Sequence, residues 1–410
     1  MLFVIHIKNI FHFPLFHVII KVLSFGKVGD AVFDFDRIWD RTQIDNNKWR
    51  ACTNGEIPMW VADMDFAAPA PILDALKARL EHPFFGYDSV SVDALKTVAE
   101  HYRNTYGCRV EDDWFVLIPS VMPGVNMGCM AAGGGIMYCT PMYMHIRRVG
   151  KETGLPVTEV PMQCRSGRYE LDFEAMERAV TPETRSFILC SPHNPVGRVF
   201  DRDELTDLIS FCRRHHLTLI SDEIHCELTL DGAHIPLFSA CDDALKGTVT
   251  VSSNAKICNI PRIPIGFAII PDPELRARYQ ACGYGLFGRG ATLNGLALEK
   301  AYDGSCAGWK DALRNYLRSN RDYSEGRITA MPCLSASHAE GTYFTWIDCS
   351  ALGLDDPCAF FKEEAKVILS PGAAFGNGQF VRLNFACPRA QLKEALDRIE
   401  TAVHAVQRRL

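Results

Sequence analysis

Six short, almost uniformly apolar runs constrain this chain more than anything else in it. They are FVLIP (115–119), IMYC (136–139), SFILC (186–190), LTLIS (217–221), TVTVSS (248–253) and GFAII (266–270). Runs this short and this apolar fit strands covered on both faces, the condition of a largely parallel sheet flanked by helices. Helical periodicity fills other stretches: ILDALKARLEH, SVDALKTVAEHYRNTYG, DELTDLISFCRRHH and PELRARYQACG. The second is predicted to open with Ser91 as its N-cap and to stop at Gly107.

Past residue 305 the texture changes. A helix over 309–323 precedes three strand-like runs, TYFTWID, KVILS and FVRLNFA, and then a closing helix. Leu392, Ala395, Leu396, Ile399, Ala402, Val403 and Val406 form one apolar stripe along it. A chain of 410 residues exceeds one simple core. The expected division is a large α/β domain over 67–305 and a smaller α+β domain made of 33–66 plus 306–410. Residues 1–32 are expected to be a non-core extension. Their apolar start is broken by His6, Lys8, His12, Pro14, His17 and Lys21, so it lacks the uninterrupted span of a membrane helix. It also lacks the charged start and small-residue cleavage site of a signal peptide.

The net charge of −6, with both signs spread along the chain, argues against a nucleic-acid or anionic-membrane surface. A small molecule is the expected partner. The 16 cysteines form no C-x-x-C pair and several lie inside apolar runs. That favours reduced thiols in a cytoplasmic protein over a disulfide framework, and no metal site is expected.

Three consecutive apolar runs end in reactive side chains. SFILC leads into His193 and Asn194, LTLIS into Asp222, Glu223 and His225, and TVTVSS into Lys256. In open α/β sheets the ligand lies beyond the carboxyl ends of the strands, so an amide, a carboxylate and an amine are offered to one place. An amine in apolar surroundings has a lowered pKa and becomes a nucleophile toward carbonyls. Asp222 would suit a buried cation such as a protonated pyridine nitrogen, and the pair is the pattern expected for pyridoxal phosphate (PLP). A plain Lys256–Asp222 salt bridge is the competing reading of these residues.

The segments SPHNPVGR, SDEIH, SSNAK and FVRLNFACPR, with MWVADMDFAAPAPI, GTYFTWIDCSALGLDDP and SPGAAFG, run from Phe33 to the C-terminus. In this order they resemble the MalY/PatB-like cystathionine β-lyase (C–S lyase) group of the fold-type-I PLP enzymes. The resemblance implies an α/β PLP-dependent transferase fold and a carbon–sulfur β-lyase that releases a thiol, pyruvate and ammonia. It implies Lys256 as the Schiff-base lysine and as base toward the substrate Cα proton. Asp222 would hold the ring nitrogen, Asn194 would donate to the ring O3′ with His225 near the same oxygen, and Tyr143 would stack on the ring. Arg382, a charge interrupting a strand, suits bidentate binding of a substrate α-carboxylate. Tyr87 resembles a tyrosine that reaches a neighbouring subunit's phosphate, which implies a homodimer with shared active sites. Trp60 and Tyr87 are the candidates for the distal substrate pocket.

A phosphate needs donors, ideally at a helix N-terminus. VMPGVNMG is read as a turn at Pro123-Gly124 with free N–H groups from Val125 onward, and Ser253 offers a hydroxyl. Two departures from the resembling sequences fall in this region. Pro261-Arg262 replaces a small Ala-Gly pair and Pro264 replaces a basic residue, so Arg262 is the candidate for supplying that charge from a new position. The glycines Gly133 to Gly135 also favour a loop, which shortens the helix by about two turns (~10 Å). Two further functions fit the same residues: an aminotransferase, and a regulatory or binding descendant with a weakened cofactor site.

Overall fold

Seven strands form the central sheet of the protein, a computed structural model that describes residues 27–28, 31–41, 46–53, 55–286, 288 and 290–408. In chain order the strands are β1 (Phe115–Ile118), β2 (Gly135–Thr140), β3 (Val157–Pro161), β4 (Thr184–Cys190), β5 (Thr218–Asp222), β6 (Thr248–Ser252) and β7 (Gly266–Ile269). Their spatial order is β1-β7-β6-β5-β4-β2-β3. All neighbours are parallel except around β7, which runs antiparallel to both β6 and β1. All six apolar runs are strands. The seventh, β3, escapes the apolar-run criterion because it lies at the sheet edge and only Val160 is buried.

Register decides where the chemistry goes. Asp222 lies beside Cys190 on β4 and beside Val251 on β6, so three strand ends are level. Side chains alternate between two covered faces. Phe187, Leu189 and Leu219 pack toward α4 (Arg202–Arg214), while Ile188, Ile220, Val249 and Val251 pack toward α3 (Val121–Ala132). The helix α4 starts at a capping box in which Asp201 and Glu204 satisfy each other's backbone N–H. Close packing of α3 on the sheet needs two glycines. A Cβ on Gly124 would stand 2.5 Å from Ile118 Cδ1, and one on Gly128 would stand 3.0 Å from Ile220.

The remaining long helices are α1 (Ala70–Leu80), α2 (Val90–Tyr106), α5 (Pro273–Gly283), α6 (Thr292–Tyr302), α7 (Ala307–Ala330) and α8 (Arg389–Gln407). Helix α2 ends at Gly107 in the left-handed conformation, as its sequence predicts (φ 60°). Its N-cap is Ser89 rather than Ser91. Ser91 lies inside the first turn, buried, and its hydroxyl donates to Ala291 O at 3.0 Å. A second sheet, wholly antiparallel, has the order β8 (Ser335–Ala336), β9 (Phe344–Asp348), β11 (Phe380–Asn384), β10 (Ser370–Pro371). Helix α8 buries Leu392, Ala395, Leu396, Ile399, Ala402 and Val403, whereas Val406 is only half-buried. The extension expected over 1–32 lies almost entirely outside the described residues. Among those residues, no helix is long and apolar enough to cross a membrane.

Candidate active site

Beyond the carboxyl ends of β4, β5 and β6 lies a cavity of about 150 Å³ whose wall includes Asn194, Asp222, His225, Ser253, Lys256 and Tyr143. Six of the sequence-predicted residues are therefore together. The level register explains it: Asn194 follows the end of β4 by four residues, and Lys256 follows Val251 by five.

Lys256 Nζ donates to the carbonyl of Ala62 at 2.8 Å. Burial, with the nearby Arg382 charge, brings its pKa down to about 8, so about a tenth of it is the neutral amine at pH 7, far more than for a free lysine. Asp222 is buried, and its Oδ1 accepts from Ile224 N at 3.1 Å. Among the described residues no cation forms an ion pair with it: Lys256 Nζ is given to Ala62 O instead, so the plain Lys256–Asp222 salt bridge is absent, and burial pushes the carboxyl up to about 7. His225 is held well below the usual imidazole range by burial and by the charges of Lys256 and Arg382. It is neutral, and its Nδ1 has no hydrogen-bond partner.

Arg382 comes from β11 of the second sheet, with Val381 and Leu383 packed into the core on either side. Its guanidinium donates to Asn194 Oδ1 at 2.8 Å, Trp60 O at 3.0 Å and Ser370 Oγ at 3.2 Å. It lies 3.9 Å from the centre of the Phe344 ring. No carboxylate among the described residues forms an ion pair with it, and burial lowers its pKa to about 10. Arg382 faces a second cavity of about 370 Å³, which shares Lys256, Tyr143, Ala62 and Pro261 with the first. Trp60 lines this second cavity, with its indole N–H donating to Lys48 O at 3.3 Å.

Three predicted placements change. Gly124 and Val125 are not phosphate donors: they lie inside α3, where Gly124 N already donates to Ser120 O at 3.2 Å and its Cα is pressed against the sheet. The helix begins earlier, at Val121, after Ser120 as N-cap. The N–H groups of Val121 and Met122 have no intrahelical acceptor, and Ser120, Val121 and Met122 all line the first cavity. Ser253 lines it too, but its hydroxyl donates to Ile265 O at 2.6 Å. Tyr87 is fully exposed on the loop before α2, outside both cavities. The residues that sequence reasoning missed are Ser120, Val121, Met122 and Ala62, with Tyr343, whose hydroxyl donates to the same Ala62 carbonyl at 2.9 Å. A polar Ser120 directly between the strand run FVLIP and an apolar helical run was a readable N-cap signal; the carbonyl of Ala62 left none.

These groups fit PLP. A buried carboxyl lacks a cation, a neutral imidazole nitrogen lacks a partner, an amine has a lowered pKa, and helix N–H groups are open at one end of the same cavity. The sheet, the open helix N-terminus and the amine are the layout of a fold-type-I PLP enzyme. Comparisons with known proteins agree. The profile of aminotransferase class I and II matches residues 67–399. The chain is 34% identical to the cystathionine beta-lyase PatB of Bacillus subtilis over 387 residues, covering 90% of this chain and 100% of that protein. It is 30% identical to the protein MalY of Escherichia coli over 393 residues, with coverage of 92% and 100%. The crystal structure of cystalysin from Treponema denticola, which contains a pyridoxal 5′-phosphate cofactor, matches with a TM-score of 0.86 at 27% identity. That match covers 92% of this chain and 100% of cystalysin. The chain belongs to the class I and II aminotransferase family.

Proposed function

We propose that this protein is a PLP-dependent C–S β-lyase that cleaves L-cystathionine or a related cysteine S-conjugate to a thiol, pyruvate and ammonia. The observation that supports it most is the convergence of Lys256, Asp222 and Asn194 on one cavity, with the anion-free guanidinium of Arg382 beside them. When bound, PLP supplies an electron sink that stabilises negative charge at the substrate Cα, so that a thiolate on Cβ can depart.

The chain's own residues do the rest. The carboxylate of Asp222 keeps the cofactor's ring nitrogen protonated, and that cation relieves the cost of its burial. Asn194 accepts from Arg382 through its Oδ1, which leaves its amide N–H group for the ring hydroxyl oxygen. The N–H groups of Val121 and Met122 receive the phosphate at the positive end of α3. Tyr143 covers the ring, and Arg382 grips the α-carboxylate of the substrate. Lys256, as the neutral amine, takes the Cα proton. A thiolate leaves readily, so orienting the Cα–H bond and supplying one base is most of what is required.

Within the same reading the molecule is a cytoplasmic homodimer built from a large domain over 67–305 and a small one from 33–66 plus 306–410. The exposed cluster Phe84, Phe85 and Tyr87 faces the partner, and Tyr87 reaches the partner's phosphate. The test is direct. Purified protein with PLP is expected to absorb in the visible and to release pyruvate from cystathionine without added keto acid, and Lys256→Ala is expected to lose both. A keto-acid requirement makes it an aminotransferase. Protein that stays colourless with PLP makes it a binding or regulatory descendant. Retention of both signals by Lys256→Ala overturns the assignment of the base.

A further inference from the structure

The sequence suggests Arg262 as a replacement for phosphate-binding charge, but the structure puts it elsewhere. The phosphate end of the site is the first cavity, where Ser120, Val121 and Met122 lie, and Arg262 is absent from that wall. It lines the second cavity instead, on the same wall as Arg382, Lys256 and Trp60. Its neighbour Pro264, where a basic residue was expected, does line the first cavity. The basic charge has therefore moved from the cofactor's phosphate end to the substrate chamber.

The charges of that chamber decide what Arg262 can do there. Asp63 is the acidic side chain on its wall, and it is already neutralised by Arg41 at 3.0 Å and Lys48 at 3.5 Å. Lys48 is in turn held by Asp65 at 2.8 Å. Two guanidiniums remain without carboxylate partners among the described residues: Arg382, buried at the inner end, and Arg262, exposed. A substrate whose α-carboxylate meets Arg382 and whose Cα meets Lys256 extends its sulfur arm into the rest of this chamber.

Resting on the lyase reading above, we infer that Arg262 is a specificity-determining residue that binds a carboxylate on the departing thiol arm of the substrate. The preferred substrates are then cysteine S-conjugates with an anionic leaving group, and Arg262 makes no contribution to holding the phosphate.

Two substrates of matched length test this: S-(2-carboxyethyl)-L-cysteine, with an anionic arm, and S-propyl-L-cysteine, with a neutral one. Wild type is expected to favour the first in kcat/KM. Arg262→Ala is expected to lower kcat/KM for the first by roughly 10-fold, the low end for a charge-assisted hydrogen bond because the guanidinium is exposed, and to leave the second within about twofold. Arg262→Glu is expected to shift preference toward S-(2-aminoethyl)-L-cysteine, whose arm is cationic. A binding measurement separates this from catalysis. Calorimetry with the unreactive-arm analogues 2-aminopimelate and 2-aminoheptanoate is expected to show the same selective loss in Arg262→Ala, with PLP affinity unchanged. Equal losses for both arms, no loss for either, or a fall in PLP affinity would overturn the assignment. If wild type releases pyruvate from none of these substrates, the lyase reading fails, and the two analogues still report on Arg262.

Discussion

Replacing Arg382 with lysine keeps the charge and removes the planar fork, and the structure sets the size of the effect. The guanidinium bridges Asn194 Oδ1, Trp60 O and Ser370 Oγ while lying over Phe344. One ammonium cannot reach acceptors arranged around a plane, so at least one buried acceptor loses its donor, at about 1–3 kcal/mol of stability. The substrate loses more selectively. A bidentate grip becomes a single charge-assisted hydrogen bond, and a bond of that kind is worth about 1.5–3 kcal/mol, roughly a 10- to 150-fold fall in kcat/KM. Asn194 is also freed from Arg382, so the cofactor's hydrogen bonding is perturbed along with the substrate's. Pyruvate release from cystathionine, followed by lactate dehydrogenase coupling, reads the kinetic part, and urea unfolding reads the structural part. A kcat/KM for Arg382→Lys within threefold of wild type would refute the assignment of Arg382 to the α-carboxylate.

Two further outcomes follow from the geometry. Gly124→Ala would press a methyl group against Ile118 Cδ1, Tyr279 Oη and Val251 Cγ1, at 2.5, 3.0 and 3.2 Å, and overpacking of this kind costs about 1–3 kcal/mol. Since no open N–H is lost, PLP affinity should fall less than the unfolding midpoint suggests; intact stability with abolished cofactor binding would contradict a packing role. For Asp222, whose carboxyl is raised from 3.8 to about 7, the folded protein without cofactor holds a proton that the unfolded chain has released. Stability from this group is therefore present below about pH 4 and is lost as pH rises through 7. Asp222→Asn, which cannot ionise, should gain on wild type between pH 5 and pH 8 in urea melts of the cofactor-free protein, and an equal difference at both pH values would count against it.

The convergence of Asn194, Asp222 and Lys256 was legible because a parallel sheet puts all its strand ends on one edge, and apolar runs reveal where those ends fall. Arg382 was legible because a charge between Val381 and Leu383 has to point away from the core those two enter. What failed was placement within a turn or two. Pro123-Gly124 looks like a turn, yet Pro is tolerated in the first turn of a helix, and Gly124 is there for close approach to the sheet. The shift of the open N–H groups from Val125 to Val121 and Met122 follows from that one misreading. The destination of Arg262 was not legible at all, since it depends on how the 261–264 loop lies between two cavities. The hydroxyl of Ser253 was similarly claimed by Ile265 O, an acceptor twelve residues away. Backbone carbonyls carry no sequence signal, so the role of Ala62 was invisible.

That carbonyl belongs to the strap over 60–63, which is tied down mainly by the second sheet. Arg382 and Ser370 donate to Trp60 O, Asn384 to the carbonyls of Val61 and Asp63, and Tyr343 to Ala62 O. From the large sheet's side, Lys256 reaches the same strap through Ala62 O at 2.8 Å. Any chemistry that engages the amine of Lys256 elsewhere withdraws that donor while leaving Tyr343 in place. Occupancy of the lysine therefore changes the hydrogen bonding of one peptide unit that the second sheet also holds, two residues along the strap from Trp60, whose indole offers a fluorescent readout.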